Sequence, residues 1–227
     1  MSHRIFPYGP PQTLREGLWQ VRGSLKLSVP RNMTIWRAPD GRLVLYSVIA
    51  MHEEGMRALE QLGRPAFMVV PHLRHHMDAP FYKARYPEIR VLAEASVPAN
   101  GVKIEGSVRE LETLGLRAGR IPGTSYEDIA LDLPVPDGRV LVVCELLSNV
   151  APTGAVNRWV GRLVGPPGGQ FGIARVVRLR EVVDKDALRV WLLEQARRTD
   201  LRMLLVGHGA PILDDVPAAL ERAAGQL

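Results

Sequence analysis

The chain has 227 residues, 46% apolar and 23% charged. That is the composition of a soluble globular protein and excludes wholesale disorder. The single cysteine, Cys144, excludes an internal disulfide framework and a cysteine-rich zinc ribbon. The net charge is +5, and of 29 basic residues only Lys26, Lys83, Lys103 and Lys185 are lysine. The arginines are spread along the chain. Their densest groups (Arg175, Arg178, Arg180; Arg197, Arg198) do not alternate with aromatics, so nucleic acid is not an expected partner.

The first ~13 residues are proline-rich and read as an extended arm. Leu18 to Ser28 reads as a strand or hairpin. Met33–Ala38 and Arg42–Val48, joined by Pro39-Asp40-Gly41, predict a tight β-hairpin. Glu53 to Leu62 carries apolar residues at helical spacing. Ala66 to Pro71 predicts a buried strand, and Asp78 to Tyr86 a helix capped by Asp78 with Pro80 in its first turn.

Ile89 to Ala93 predicts a further buried strand. Lys103–Glu112, Arg117–Ile121 and Asp128–Leu133 read as short strands. Arg139 to Cys144 predicts a buried strand after the turn Pro136-Asp137-Gly138. Residues 151–175 are expected to form a lid segment, with a short helix from Val156 to Val164 and a flexible turn from Gly165 to Gly169. Asp186 to Thr199 predicts an amphipathic helix offering Leu188, Val190, Trp191, Leu192 and Ala196 to the core. A last strand, Leu201–Val206, precedes a helix from Val216 to Ala224 capped by Asp214 or Asp215. The order implies one α/β domain over residues 1–227, built on two sheets with helices outside.

The candidate chemistry stands at strand ends. Three histidines, His72, His75 and His76, fall with Asp78 in the stretch Pro71–Asp78 (PHLRHHMD), directly after a predicted strand. Glu145 follows the strand ending at Cys144, and His208 follows Val206 between Gly207 and Gly209. Ligands of layered α/β sheets bind outside the carboxyl ends of strands. Imidazole and carboxylate donors arriving there suit zinc, iron or manganese. No nucleophile elbow, Walker loop or dinucleotide fingerprint occurs.

The stretches Asn32–Gly41, Arg42–Ser47, Pro71–His76, Phe81–Pro87, the strand ending at Glu145, and Gly207–Pro211 (GHGAP) occur in an order that resembles the metallo-β-lactamase fold superfamily. More narrowly, the chain is similar to uncharacterised members with a degenerate metal-binding motif. The resemblance implies a four-layer αββα sandwich with the site on one rim. It also implies a His-x-His-x-Asp-His motif, a later histidine, a bridging aspartate and a final histidine. The motif started at His72 puts Arg74, His76 and Met77 in the later ligand slots. One residue earlier, His75 and His76 take the Asp-His slots. The middle histidine is expected near Ile121–Ser125, where Thr124 stands instead, Glu145 replaces the bridging aspartate, and only His208 has a single placement.

The expected protein is therefore a hydrolase of a small ester, lactone or phosphoester, acting through water activated by at most one metal ion (zinc, iron or manganese). Candidate metal ligands are His72, His75, His76, His208 and Glu145, and candidate proton acceptors are Asp78 and Glu145. Candidate substrate contacts are Arg74, Tyr82 and Trp159, with Arg74 positioned to hold an anionic group. The alternative is a non-catalytic binding or scaffolding protein of the same fold that has lost its metals. The expected partner is a small-molecule substrate, self-association is compatible with the sequence, and a membrane is not an expected partner. No run approaches ~18 uninterrupted apolar residues and the N-terminus lacks a secretory signal's apolar stretch, so a cytoplasmic location is expected.

Overall fold

A computed structural model of the chain describes residues 9–23, 31–94, 101–125, 128–151, 165–166 and 171–227. They fall into two compact units, residues 1–118 and 119–227.

The first unit holds a six-stranded sheet whose strands lie side by side in chain order: β1 (Gln12–Arg15), β2 (Leu18–Arg22), β3 (Asn32–Arg37), β4 (Arg42–Tyr46), β5 (Arg64–Val69) and β6 (Arg90–Leu92). β1 to β4 pair antiparallel. The β3–β4 hairpin turns at Pro39-Asp40-Gly41 as expected, with Gly41 at a φ of 82°. β5 and β6 join in parallel. Parallel neighbours need crossover connections, and helices α1 (Glu53–Leu62) and α2 (Ala79–Arg85) supply them. The register pairs Tyr46 with Val69, so β4 and β5 end level. Ser47 and the loop from His72 to Asp78 thus leave the same sheet edge. Met56 and Leu59 of α1 and Tyr82 of α2 pack on Met33, Ile35, Leu45 and Met68 of the sheet. Each such fully buried side chain contributes about 1.5–3 kcal/mol of transfer free energy.

Three expectations change here. Gln12 and Thr13, expected in the extended arm, belong to β1 and pair with β2. Lys103–Glu112 is not a strand. Ser107 accepts the Arg109 N–H and starts a 3₁₀ helix, Val108–Leu114, which Gly115 ends at a φ of 84°. Asp78 occupies the cap position of α2, but its side chain makes no capping bond.

In the second unit, β8 (Ile129–Val135) and the long β9 (Gly138–Asn149) form an antiparallel hairpin through Pro136-Asp137-Gly138. β7 (Arg117–Arg120), which runs across the unit boundary, borders β8, and β10 (Phe171–Gly172) borders the far end of β9. β11 (Leu201–Gly209) runs parallel to β9. The strands predicted to end at Cys144 and Val206 therefore continue, to Asn149 and Gly209.

Helices α3 (Arg175–Arg180), α4 (Lys185–Ala196) and α5 (Val216–Ala224) complete the unit. Asp184 caps α4 through two backbone N–H groups. Leu188, Leu192 and Ala196 face the core with Leu220 and Ala223 of α5. Val190, predicted for that face, is exposed instead, and Trp191 is half-buried. Asp215 caps α5, accepting from the Ala218 N–H. The predicted short helix Val156–Val164 lies outside the described residues, as does most of the expected lid segment. Among the described residues no helix is long and apolar enough to cross a membrane.

Candidate functional site

β9 and β11 pair residue for residue from Val140–Met203 to Val143–Val206. The next pair is Ser148 with His208. Gly207 alone therefore stands opposite the stretch from Cys144 to Leu147, and β9 bulges. A bulge of this kind re-aims side chains while the strands stay joined on either side. The Leu146 N–H, displaced from the ladder, donates to the buried Asp128 carboxylate at 2.8 Å. Beyond the bulge, Asn149 clamps the strand exit. Its carbonyl accepts the Ala210 N–H, and its side-chain amide donates to the Ala210 carbonyl, both at 2.9 Å.

The two glycines around His208 are sterically required. A Cβ on Gly207 would lie 2.5 Å from the Cys144 carbonyl oxygen, and one on Gly209 (φ 93°) would collide with that of Asn149. With β11 pressed this close, His208 Nε2 sits 3.1 Å from Glu145 Oε1. Their side chains are only 12% and 11% exposed. Glu145 and His208 are thus brought together, inside strands rather than at strand ends. An imidazole and a carboxylate side by side and mostly dry form a donor pair that zinc, iron or manganese accepts. In chemical type the residues present fit a metal.

In the first unit, the loop after β5 carries the three clustered histidines. His72 is fully buried and its Nδ1 accepts the Arg74 N–H at 3.2 Å. Its carbonyl accepts the His75 N–H at 2.9 Å, which closes the turn. His75 is also buried, with Nδ1 2.7 Å from the Ser47 hydroxyl. His76 is half-buried, and the Arg74 side chain is exposed.

Asp78 departs from the expected proton acceptor. Its Oδ2 takes the Arg31 guanidinium at 2.8 Å and the Ala50 N–H at 3.1 Å, in a buried ion pair. The carboxylate is tied into the fold and not presented to a substrate. Tyr82 departs as well. It is fully buried among unit-one core residues, and its hydroxyl donates to the Ile49 carbonyl at 2.9 Å. Burial holds its phenol well above the usual range, as suits a permanent donor and not a substrate contact. Trp159 lies outside the described residues. Thr124 donates its hydroxyl to the Ile121 carbonyl at 2.9 Å and is buried.

Three residues that sequence patterns did not single out take part here. Asp128 and Asn149 work through partners that only the folded strands reveal. Ser47 did leave a signal, as a polar residue closing the apolar run Leu43–Tyr46.

No protein-family model matches the chain, and no curated protein matches its sequence. Its structure does have similar solved structures. The metallo-β-lactamase FIM-1 from Pseudomonas aeruginosa, in a mono-zinc form, superimposes with a TM-score of 0.63 at 14% identity, covering 98% of this chain and 96% of that one. A metallo-β-lactamase from Erythrobacter litoralis gives 0.61 at 16% identity, covering 99% and 96%. One from Pontibacter korlensis gives 0.63 at 11% identity, covering 96% and 99%. Nearly the full length of this chain takes part in each case. The mixed α/β architecture with two sheets is the metallo-β-lactamase fold.

Proposed function

We propose that this metallo-β-lactamase-fold chain is a hydrolase of a small ester, lactone or phosphoester, and that it uses a single metal ion with Glu145 and His208 among its ligands. The observation that carries the reading is the Glu145–His208 pair, seated in a β-bulge between two obligatory glycines. A fold that keeps glycine on both sides of a mostly buried histidine, and bends the facing strand to meet it, supports a role beyond packing. The mono-zinc form of FIM-1 supports a single ion as a workable state of this architecture.

When bound, the metal supplies Lewis acidity, polarising the scissile group and acidifying water. The chain's own residues supply the rest. His208 would offer the metal a ring nitrogen and Glu145 a carboxylate oxygen, and the Glu145 carboxylate would also accept the proton of the attacking water. Arg74, exposed on its loop, holds an anionic group of the substrate, as a guanidinium fork does well. His72 is left out of the ligand set because it is committed to its own turn through Nδ1.

The test is metal analysis of untagged protein after zinc, iron or manganese supplementation, together with turnover of an ester, lactone and phosphoester panel. The expected result is close to one metal per chain and hydrolysis of one substrate class, both lost in His208→Ala. A stoichiometry near zero under all three supplements overturns the reading.

The non-catalytic alternative has one observation in its favour. Thr124, near which a further histidine is expected, is buried with its hydroxyl bonded to the backbone. Metal bound at one per chain with no turnover across the panel selects that alternative.

A further inference from the structure

We infer that Gln226 is a latch: it holds Phe171–Arg180 as a strap along the edge of β9, and its release opens that strap without unfolding the rest of the second unit. The inference stands apart from the metal reading, and every contact in it lies within that unit. β10 has two residues, Phe171 opposite Asn149 and Gly172 opposite Ser148 of β9. α3 has six, and helices under about 12 residues are marginal on their own. Ile173 and Val177 are buried in the core, while Val176 and Leu179 are exposed. The strap therefore leans on contacts from elsewhere in the unit.

Among the described residues no strand lies on the other side of β10. Gln226, just past α5, takes that place. Its Oε1 accepts the Ile173 N–H at 2.8 Å, and its Nε2 donates to the Phe171 carbonyl at 3.4 Å. A carbonyl and an N–H two residues apart on one edge are what a neighbouring strand would pair with, and one primary amide offers both partners. Gly172 lets the amide come this close. Its φ is 139°, and a Cβ there would collide with the Gln226 side chain. The Gln226 carbonyl in turn accepts from the Arg178 guanidinium at 2.6 Å, so one residue grips both β10 and α3. Past α3 the chain is fixed again, where the Glu181 carbonyl accepts the Ser125 N–H at 2.7 Å and Val182 bridges to Thr124. Short segments held between such points open as units, below the cost of global unfolding. Gly172 pairs with Ser148, which pairs on its other side with His208. An open strap leaves β9 without its neighbour directly across from His208.

The test compares wild type with Gln226→Met, which keeps the side chain's length and loses both amide bonds, and with Arg178→Met. Native-state amide hydrogen exchange is followed residue by residue, with urea unfolding alongside. The diagnostic group is the residue-178 N–H, because it donates to the Ala174 carbonyl and not to Gln226. In Gln226→Met we expect it and the Ile173 N–H to exchange about 5- to 100-fold faster, and in Arg178→Met about 2- to 10-fold faster. Leu188 of α4 and Leu131 of β8 should keep wild-type exchange in both. Acceleration confined to Ile173 overturns the inference, since the strap then does not move as one piece. So does unchanged exchange. Acceleration spread evenly through the unit, or a Gln226→Met chain that fails to fold, makes Gln226 a general stabiliser and overturns it too.

Discussion

In the loop from His72 to Asp78, four side chains able to bind metal or move a proton stand within seven residues. The fold uses two of them for itself. His72 closes its own turn through the Arg74 N–H, and Asp78 locks onto Arg31 and the Ala50 N–H. β9 and β11 instead bring two such side chains, Glu145 and His208, 63 residues apart, to one point. Density in sequence therefore misleads in the first region and sparseness misleads in the second. A cluster on a tight loop must satisfy its buried polar atoms locally, whereas two strands in register can aim distant residues at each other with no local demand on either.

The largest expected effect sharpens the structural side of this contrast. Removing one partner of a buried ion pair leaves the other charge uncompensated, at about 3–5 kcal/mol. Asp78→Ala should therefore lower the urea midpoint of unfolding by that equivalent. A drop under about 1 kcal/mol would show that Asp78 is not tied into the fold.

Next comes the bulge. Gly207→Ala must push its new Cβ away from the Cys144 carbonyl. Overpacking of this kind costs about 1–3 kcal/mol. The expected outcome is a moderate fall in stability with weakened metal binding, measured by denaturant unfolding and metal competition. Intact metal affinity would separate the bulge from the site and break the comparison.

His72→Gln tests the loop from the other direction. Stability should fall by about 0.5–1.5 kcal/mol, the net value of the hydrogen bond removed, with metal content unchanged. Loss of metal in this variant would return His72 to the ligand set.

The smallest effect is a control on acid titrations. Glu105 is held below its ordinary value of 4.5 by the Val91 N–H, with the Lys83 ammonium assisting. A carboxylate depressed in the folded state stabilises fully above its unfolded pKa and loses that contribution as pH falls through its folded pKa. Glu105→Gln should flatten the stability profile below about pH 4.5 and shift neutral stability by no more than about 1 kcal/mol. An unchanged acid limb would assign that limb to other carboxylates.

Much of the fold was legible because its signals are local. Pro39-Asp40-Gly41 between two apolar runs announced the β3–β4 hairpin, and helical spacing at Met56 and Leu59 announced α1. Gly207–Pro211 (GHGAP), directly after the predicted strand Leu201–Val206, marked the final histidine. The misreadings share one cause. Glu145 reads as following a strand because the apolar run stops at Cys144, yet β9 runs on to Asn149, held by β10 and β11. Asp78 looked like a helix cap because its partner, Arg31, lies 47 residues away. Lys103–Glu112 reads as a short strand bounded by glycine, yet Ser107 starts the 3₁₀ helix Val108–Leu114 through one capping bond. Tertiary partners settled each case, and single-sequence patterns carry no information about them.

The parallel pairing of β9 with β11 also bears on timing. Glu145 meets His208 only after the 63-residue separation between them has been closed into a loop. Loop closure of that size is an entropic cost met before any contact rewards it, which makes such pairings late events in folding. The donor pair is then absent from early compact forms of the chain and arises with the last strand. Uptake of metal during refolding would track the closing of β11 against β9, and a metal-sensitive dye would report the end of folding and not its beginning.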